Sequence, residues 1–270
     1  MVAPAMKRAV TATAKSAFAA ADLLPRDWPG PRILIYHQVG TNIGRQMEVP
    51  TDAFIRQLDW LEQNGSVVDL QTAIDRRSEP DAHRLFTLGF DDGYADLYTT
   101  AFPLLSARDM PFTLYLTTEP VETSQPLTPG GQAEPLTWDQ VRAMAASGLL
   151  TLGAHTHTHR DLRGVSEADV AEELDVSNRL IEERCGITPR HFAYPKGYWD
   201  PIAEVLVAQR YETAALGAGP PVTGATDLHR VHRVAVQKSD GLVFFRKKMK
   251  SGMRWEEWTR RRIRRYEGPT

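Results

Sequence analysis

The sequence predicts an α/β fold built on a parallel sheet, and three observations carry that expectation. Apolar runs of strand length alternate along the chain with segments whose apolar residues recur at helical spacing. Helix start and stop signals fall between those runs, as βα units require. The titratable clusters come directly after strand segments, and parallel α/β sheets build their chemistry at the C-terminal ends of strands. Propensity alone does not choose between an open sheet and a closed barrel.

Pro25, Pro29, Gly30 and Pro31 form a breaker cluster, so a helical N-terminal extension over residues 1–30 is expected to end there. Arg32-Ile-Leu-Ile-Tyr36 is then a strand ending at His37, and residues 53–61 carry Phe54, Leu58 and Leu61 at helical spacing. Val67-Val68 restarts a strand, Leu85 to Phe90 is another, running into Asp91-Asp92-Gly93, and Phe112 to Leu116 follows. Thr137 with Gln140 reads as a capping box opening a helix that Gly148 ends. Leu149 to Leu152 leads into His155, Ser166 with Asp169 opens a long helix to about Arg184, and Gly186 closes it. His191 to Tyr194 is a strand, followed by a helix over 201–209 and a strand over 213–216. The expected organisation is one domain over 31–243 and a basic tail over 244–270.

At 270 residues and 42% hydrophobic, with a mean hydropathy of −0.37, the chain has enough apolar surface for one large core. No apolar run reaches the ~18 residues of a membrane span. The single cysteine, Cys185, excludes an intrachain disulfide and reads as a small buried filler. Lys7, Arg8 and the small residues Ala17 to Ala21 suggest a signal peptide, but Lys15 interrupts and Asp22 follows, so an uncleaved extension and a cytoplasmic location are expected. Net charge is −2, yet residues 246–265 hold ten Lys/Arg against Glu256 and Glu257, a net of +8. Phe245, Met249 and Met253 repeat at i+4 there, with Trp255 and Trp258 beyond. Two readings stay open: a helix packed on the body with a solvated basic face, or peripheral contact with an anionic membrane. No nucleic-acid motif or stacking platform accompanies the run, so no nucleic-acid partner is expected.

Two constellations carry chemistry. In Phe90-Asp91-Asp92-Gly93, adjacent carboxylates at a strand end face different ways, so one suits a cation and the other a free base, although Asp-Asp-Gly is also an ordinary turn. Gly153-Ala-His155-Thr-His157-Thr-His159 concentrates three of the chain's eight histidines. Strand spacing pairs His155 with His157, and a helical turn pairs His155 with His159. One carboxylate and two imidazoles make a catalytic metal set with open positions.

These stretches resemble the polysaccharide deacetylases, the NodB-type or family-4 carbohydrate esterases. The resemblance runs from about Arg32 to Val236. It rests on Ile33 to Val39, Phe90-Asp-Asp-Gly93, Leu136-Thr-Trp138, His155-Thr-His-Thr-His159 and Phe192-Ala-Tyr-Pro-Lys-Gly197. It implies a single-domain distorted (β/α) barrel and a divalent metal, most often zinc, that activates water for removal of an N-acetyl group from a sugar. By the same resemblance Asp91 is the general base and Asp92, His155 and His159 hold the metal, with His157 at a variable position. His37 is the candidate acid for the departing amine, Thr156 ties the loop to a neighbour, and Tyr194 and Lys196 are the candidate substrate-binding residues. An O-acetyl esterase and a catalytically silent sugar-binding module are the alternatives. Two departures stand out: Lys196 replaces the usual Tyr, keeping its backbone N–H and adding an ammonium that suits an anionic substrate group, and Ala193 occupies the position of an Arg that braces the base in many relatives. The base therefore needs another brace, which the sequence does not identify.

Overall fold

The computed structural model describes residues 29–41, 46–127, 131–217, 219 and 221–251. Most of the expected N-terminal extension, and the tail from residue 252 with Met253, Trp255 and Trp258, lie outside them. The elements are β1 (Arg32–Tyr36), β2 (Gln38–Val39), β3 (Glu48–Val49), α1 (Thr51–Asn64), β4 (Ser66–Val67), α2 (Leu70–Asp75) and β5 (Leu85–Asp92). A π-helical turn (Leu97–Ala101) then runs into α3 (Phe102–Ser106), followed by β6 (Phe112–Leu116), α4 (Thr118–Thr123), α5 (Trp138–Ala146) and β7 (Leu150–Ala154). The last are α6 (Glu167–Cys185), β8 (His191–Ala193), α7 (Pro201–Ala208), β9 (Thr213–Ala215), β10 (Val234–Ala235) and α8 (Gly241–Ser251).

The sheet is parallel, in the order β10-β1-β5-β6-β7-β8-β9, with β4 beside the start of β5. Its two ends meet. Val231 bridges Ala215 after β9, and Val234 and Ala235 pair with Leu34 and Ile35 of β1. One irregular run, 231–235, thus closes the sheet into a distorted barrel. The sequence-derived expectation of one barrel domain agrees with this architecture.

Strand alternation sorts side chains between two cores. Leu34, Tyr36, Phe86, Leu88, Phe90, Phe112 and Leu114 point outward against the helices. Ile33, Tyr115, Ala193, Ala215 and Val231 point into the barrel, where Leu70 and Ile74 of α2 pack with them. Gly153 lets this interior form, because a Cβ there would lie 2.9 Å from the Tyr115 ring and 2.8 Å from the His191 carbonyl. The helices start where local chemistry allows. Both halves of the Thr137–Gln140 capping box are made, Ser166 accepts from the Asp169 N–H, and Gly186 ends α6 at φ 68°.

Three features differ from the sequence reading. The short β2–β3 pair and α4 are too brief to leave a periodic signal. Strand β10 is two residues long and gains its definition only by pairing with β1. Helix α8 runs through the expected boundary at 243/244 and belongs to the domain. Its Phe245 and Met249 are buried, with Phe245 edge-on to Trp60 of α1 at 5.9 Å. Lys248 is buried too, donating to the Ala235 carbonyl at 2.8 Å and to Asp240 Oδ2 at 2.9 Å. Within the described residues, the apolar anchors considered for a membrane are used in packing.

Candidate active site

Strand parity delivers three polar side chains to the C-terminal mouth of the barrel. On β1, Ile33 and Ile35 point inward and His37 continues that face; on β5 the inward residue at the strand end is Asp91; on β7 it is His155. A cavity of about 640 Å³ opens there. His37, Asp91, Asp92, His155 and His159 line its floor, and Lys196 and Tyr198 its rim.

Asp92 and His159 reach the cavity by a different device. Alternation would send Asp92 outward, but its φ of 74° turns the chain at the strand end. His159, likewise, has φ 60°, and Thr156 earlier in the loop has φ 65°. Non-glycine residues rarely adopt this left-handed region, and such outliers gather at functional sites.

The result is a compact donor set. Ligand atoms of Asp92, His155 and His159 all lie within 4.8 Å of one another. Asp92 Oδ1 is 3.5 Å from His155 Nε2 and 3.3 Å from His159 Nε2. Two ligand atoms each about 2.1 Å from a tetrahedral centre stand about 3.4 Å apart, so the spacing fits one cation. Asp92 Oδ1 is buried and makes no hydrogen bond among the described residues. The His155 Nδ1–H donates to the Ala193 carbonyl at 2.6 Å, which fixes the tautomer and leaves Nε2 as the electron-pair donor. Burial alone would raise the Asp92 carboxyl, but the neighbouring imidazoles of His155, His37 and His159 outweigh it and hold it well below the carboxylate range. Burial pushes His159 down to about 4, so its ring is neutral and able to ligate near pH 7.

Asp91 is held by Arg233. The guanidinium donates to both carboxylate oxygens, at 2.7 and 2.9 Å, and its Nε donates to the Leu216 carbonyl at 3.0 Å. Burial would raise the Asp91 carboxyl; the Arg233 charge and its hydrogen bond, with His155 and His37, hold it below its ordinary value. This is the brace that the sequence left unidentified. Arg233 stands 142 residues from Asp91, on the run that closes the barrel, and no spacing rule links the two.

The structure also separates the three histidines. His157 turns away from the cavity, its Nδ1 2.9 Å from the Thr118 hydroxyl, so the helical-type pair His155 and His159 is the one brought together, not the strand-type pair. Among the described residues the Thr156 hydroxyl is buried without a hydrogen bond, unlike its expected role; its backbone carbonyl accepts instead from the Thr118 N–H. Tyr194 is a further correction as a substrate contact. Its ring is fully buried, edge-on to Phe192 at 5.2 Å, because the strand parity that puts Ala193 inside the barrel puts Tyr194 outside. Lys196 does line the rim, exposed and at φ 62°. His37 Nδ1 makes no hydrogen bond among the described residues, so no carboxylate there orients it.

A family model described as polysaccharide deacetylase matches residues 78–214. YxkH of Bacillus subtilis (strain 168), assigned by name to the polysaccharide deacetylases, is 26% identical over 207 residues, 74% of this chain and 70% of that protein. The poly-beta-1,6-N-acetyl-D-glucosamine N-deacetylase of Escherichia coli (strain K12) is 32% identical over 148 residues, 50% of this chain and 22% of that longer protein. The solved structure of IcaB from Ammonifex degensii has a TM-score of 0.70 at 25% identity, covering 86% of this chain and 98% of that one. The Streptococcus pyogenes deacetylase PplD, solved with acetate, gives 0.70 at 22% identity over 84% and 99%, a likeness of fold.

Proposed function

Because the chain belongs to the polysaccharide deacetylase family, we propose that it is a metal-dependent hydrolase that removes the N-acetyl group from N-acetylglucosamine residues of a glycan. The observation that carries the reading is the Asp92–His155–His159 set at tetrahedral ligand spacing beside a separately held carboxylate. The N-acetylglucosamine preference is supported by the likeness to the Escherichia coli enzyme over half of this chain.

Asp92, His155 and His159 would hold a divalent cation, zinc by the chemistry of an oxygen–nitrogen–nitrogen set. Such an ion supplies Lewis-acid polarisation of the acetyl carbonyl and a lowered pKa for water. Asp91 takes the proton of the attacking water: each of its oxygens keeps a lone pair beyond the one given to Arg233. Arg233 keeps Asp91 ionised and aimed, at some loss of basicity. His37, on the cavity floor, gives a proton to the departing amine, which is too poor a leaving group as an anion. Lys196 at the rim faces the bound sugar.

The test is acetate release from N-acetylglucosamine oligomers and from O-acetylated glycans, before and after chelation. Release from the N-acetyl substrates that stops with chelator and returns with zinc is the expected result. Release that ignores the chelator, or only from O-acetyl esters, would overturn the proposal.

A further inference from the structure

Helix α6 carries one residue that helix packing does not account for. Its buried face is Val170, Leu174, Ser177 and Ile181, and Glu173 lies among them, 7% exposed. A charged side chain in a buried stripe is costly unless hydrogen-bonded. Here it meets three donors from the histidine loop. Glu173 Oε2 accepts from the backbone N–H of His157 at 3.0 Å and of Thr158 at 2.9 Å, and Oε1 accepts from the Thr158 hydroxyl at 2.6 Å.

The position of those bonds matters. The loop joins His155 to His159, and its two left-handed residues, Thr156 and His159, flank the pair that Glu173 grips. Backbone in that region persists only where its surroundings over-determine it. The other side of the loop is held by the start of α4: Glu119 N–H donates to the His157 carbonyl at 2.9 Å and Thr118 N–H to the Thr156 carbonyl at 3.4 Å. Carbonyls are thus fastened on one side and N–H groups on the other. An ionised carboxylate is an acceptor at both oxygens; an amide keeps one acceptor for the two N–H groups, loses the charge, and requires the Thr158 hydroxyl to reverse and accept from its NH2. His155 is aimed by its strand and its Ala193 bond, whereas His159 is carried to the cavity by this loop.

We propose that Glu173 is a positioning residue for the metal centre: it fixes the shape of the 156–159 loop and so sets the affinity of the site for its cation. This rests on the metal reading above. The test is a zinc competition titration on the full chain, with wild type, Glu173→Ala, Glu173→Gln and Thr158→Ala compared, each checked for folding by circular dichroism. Glu173→Ala is expected to weaken zinc about 10- to 100-fold, the usual scale for a partner that orients a ligand. Glu173→Gln should fall between it and wild type, and Thr158→Ala should lose less than Glu173→Ala. The kcat at saturating zinc should recover to within a few-fold of wild type, which a general loss of structure would not allow. Folded Glu173→Ala with wild-type zinc affinity overturns the proposal. Should that variant not fold, unchanged affinity in Glu173→Gln does so. Wild-type protein that takes up no zinc overturns the metal reading as well, and is distinguishable because the loss is then not confined to the variants.

Discussion

Asp91 and Asp92 share a peptide bond, a strand end and deep burial, yet they sit in opposite surroundings. Both oxygens of Asp91 are occupied by a guanidinium that arrives from the far end of the chain. Asp92 presents to two imidazoles from a single nearby loop a buried oxygen that makes no hydrogen bond among the described residues. Both carboxyls are depressed below their ordinary range, the first chiefly against burial by a fixed cation, the second against burial by imidazoles. One is neutralised by a permanent charge and keeps only its spare lone pairs; the other faces two imidazole nitrogens across a gap of ligand spacing. A single backbone turn, the 74° φ of Asp92, thus gives adjacent identical residues the different surroundings that the proposed base and ligand roles require.

The sharpest way to break this comparison is to remove each carboxylate in turn. Asp91→Asn is expected to keep its metal and lose at least about 100-fold in kcat, the scale of a general base. Asp92→Ala, His155→Ala and His159→Ala are expected to lose the metal itself, while His157→Ala retains it. Elemental analysis beside acetate release separates the two classes, and metal loss in Asp91→Asn would erase the distinction.

Arg233 comes next in size. Arg233→Met leaves a buried carboxylate unpaired, which costs about 3–5 kcal/mol. The double variant with Asp91→Asn should be less destabilised than the sum of the two singles, because the pair is lost together. Urea unfolding of all four proteins measures the coupling. Simple additivity would mean that the contact contributes nothing beyond packing.

A third carboxylate in the same loop sharpens the contrast with a smaller effect. Asp96 accepts the Val39 N–H at 2.5 Å, just past His37, and burial pushes it up to about 6. A raised acid favours the fold below its unfolded pKa of about 3.9, and that contribution is lost as pH rises through about 6. Asp96→Asn should therefore be relatively more stable at pH 8 than at pH 5, by about 1.5 kcal/mol, because roughly half of the penalty of a two-unit shift is already present at pH 5. Urea midpoints of both proteins at the two pH values check it; a difference that does not change with pH would place Asp96 with the other two.

Much of the framework was legible in the sequence because it is set by residues close together in the chain. Strand β6 (Phe112–Leu116) coincides with the apolar run that announces it, the Thr137–Gln140 box and the Ser166 and Gly186 caps begin and end helices within a few residues, and period-two alternation places Asp91 and His155 on the inner face. Other properties appear only once the sheet closes. Arg233 finds Asp91 because residues 231–235 bridge β9 and β1, a pairing with no local signature. Whether His157 or His159 joins His155 is decided by left-handed backbone that Glu173 and α4 hold from opposite sides. Tyr194 is sealed in the core by the parity of a three-residue strand, Phe245 packs on Trp60 of α1, and Met249 is buried in the same core. Periodicity and capping are short-range and can be read along the chain. Partner choice across a barrel depends on which backbone segments are brought side by side, and only the folded chain does that.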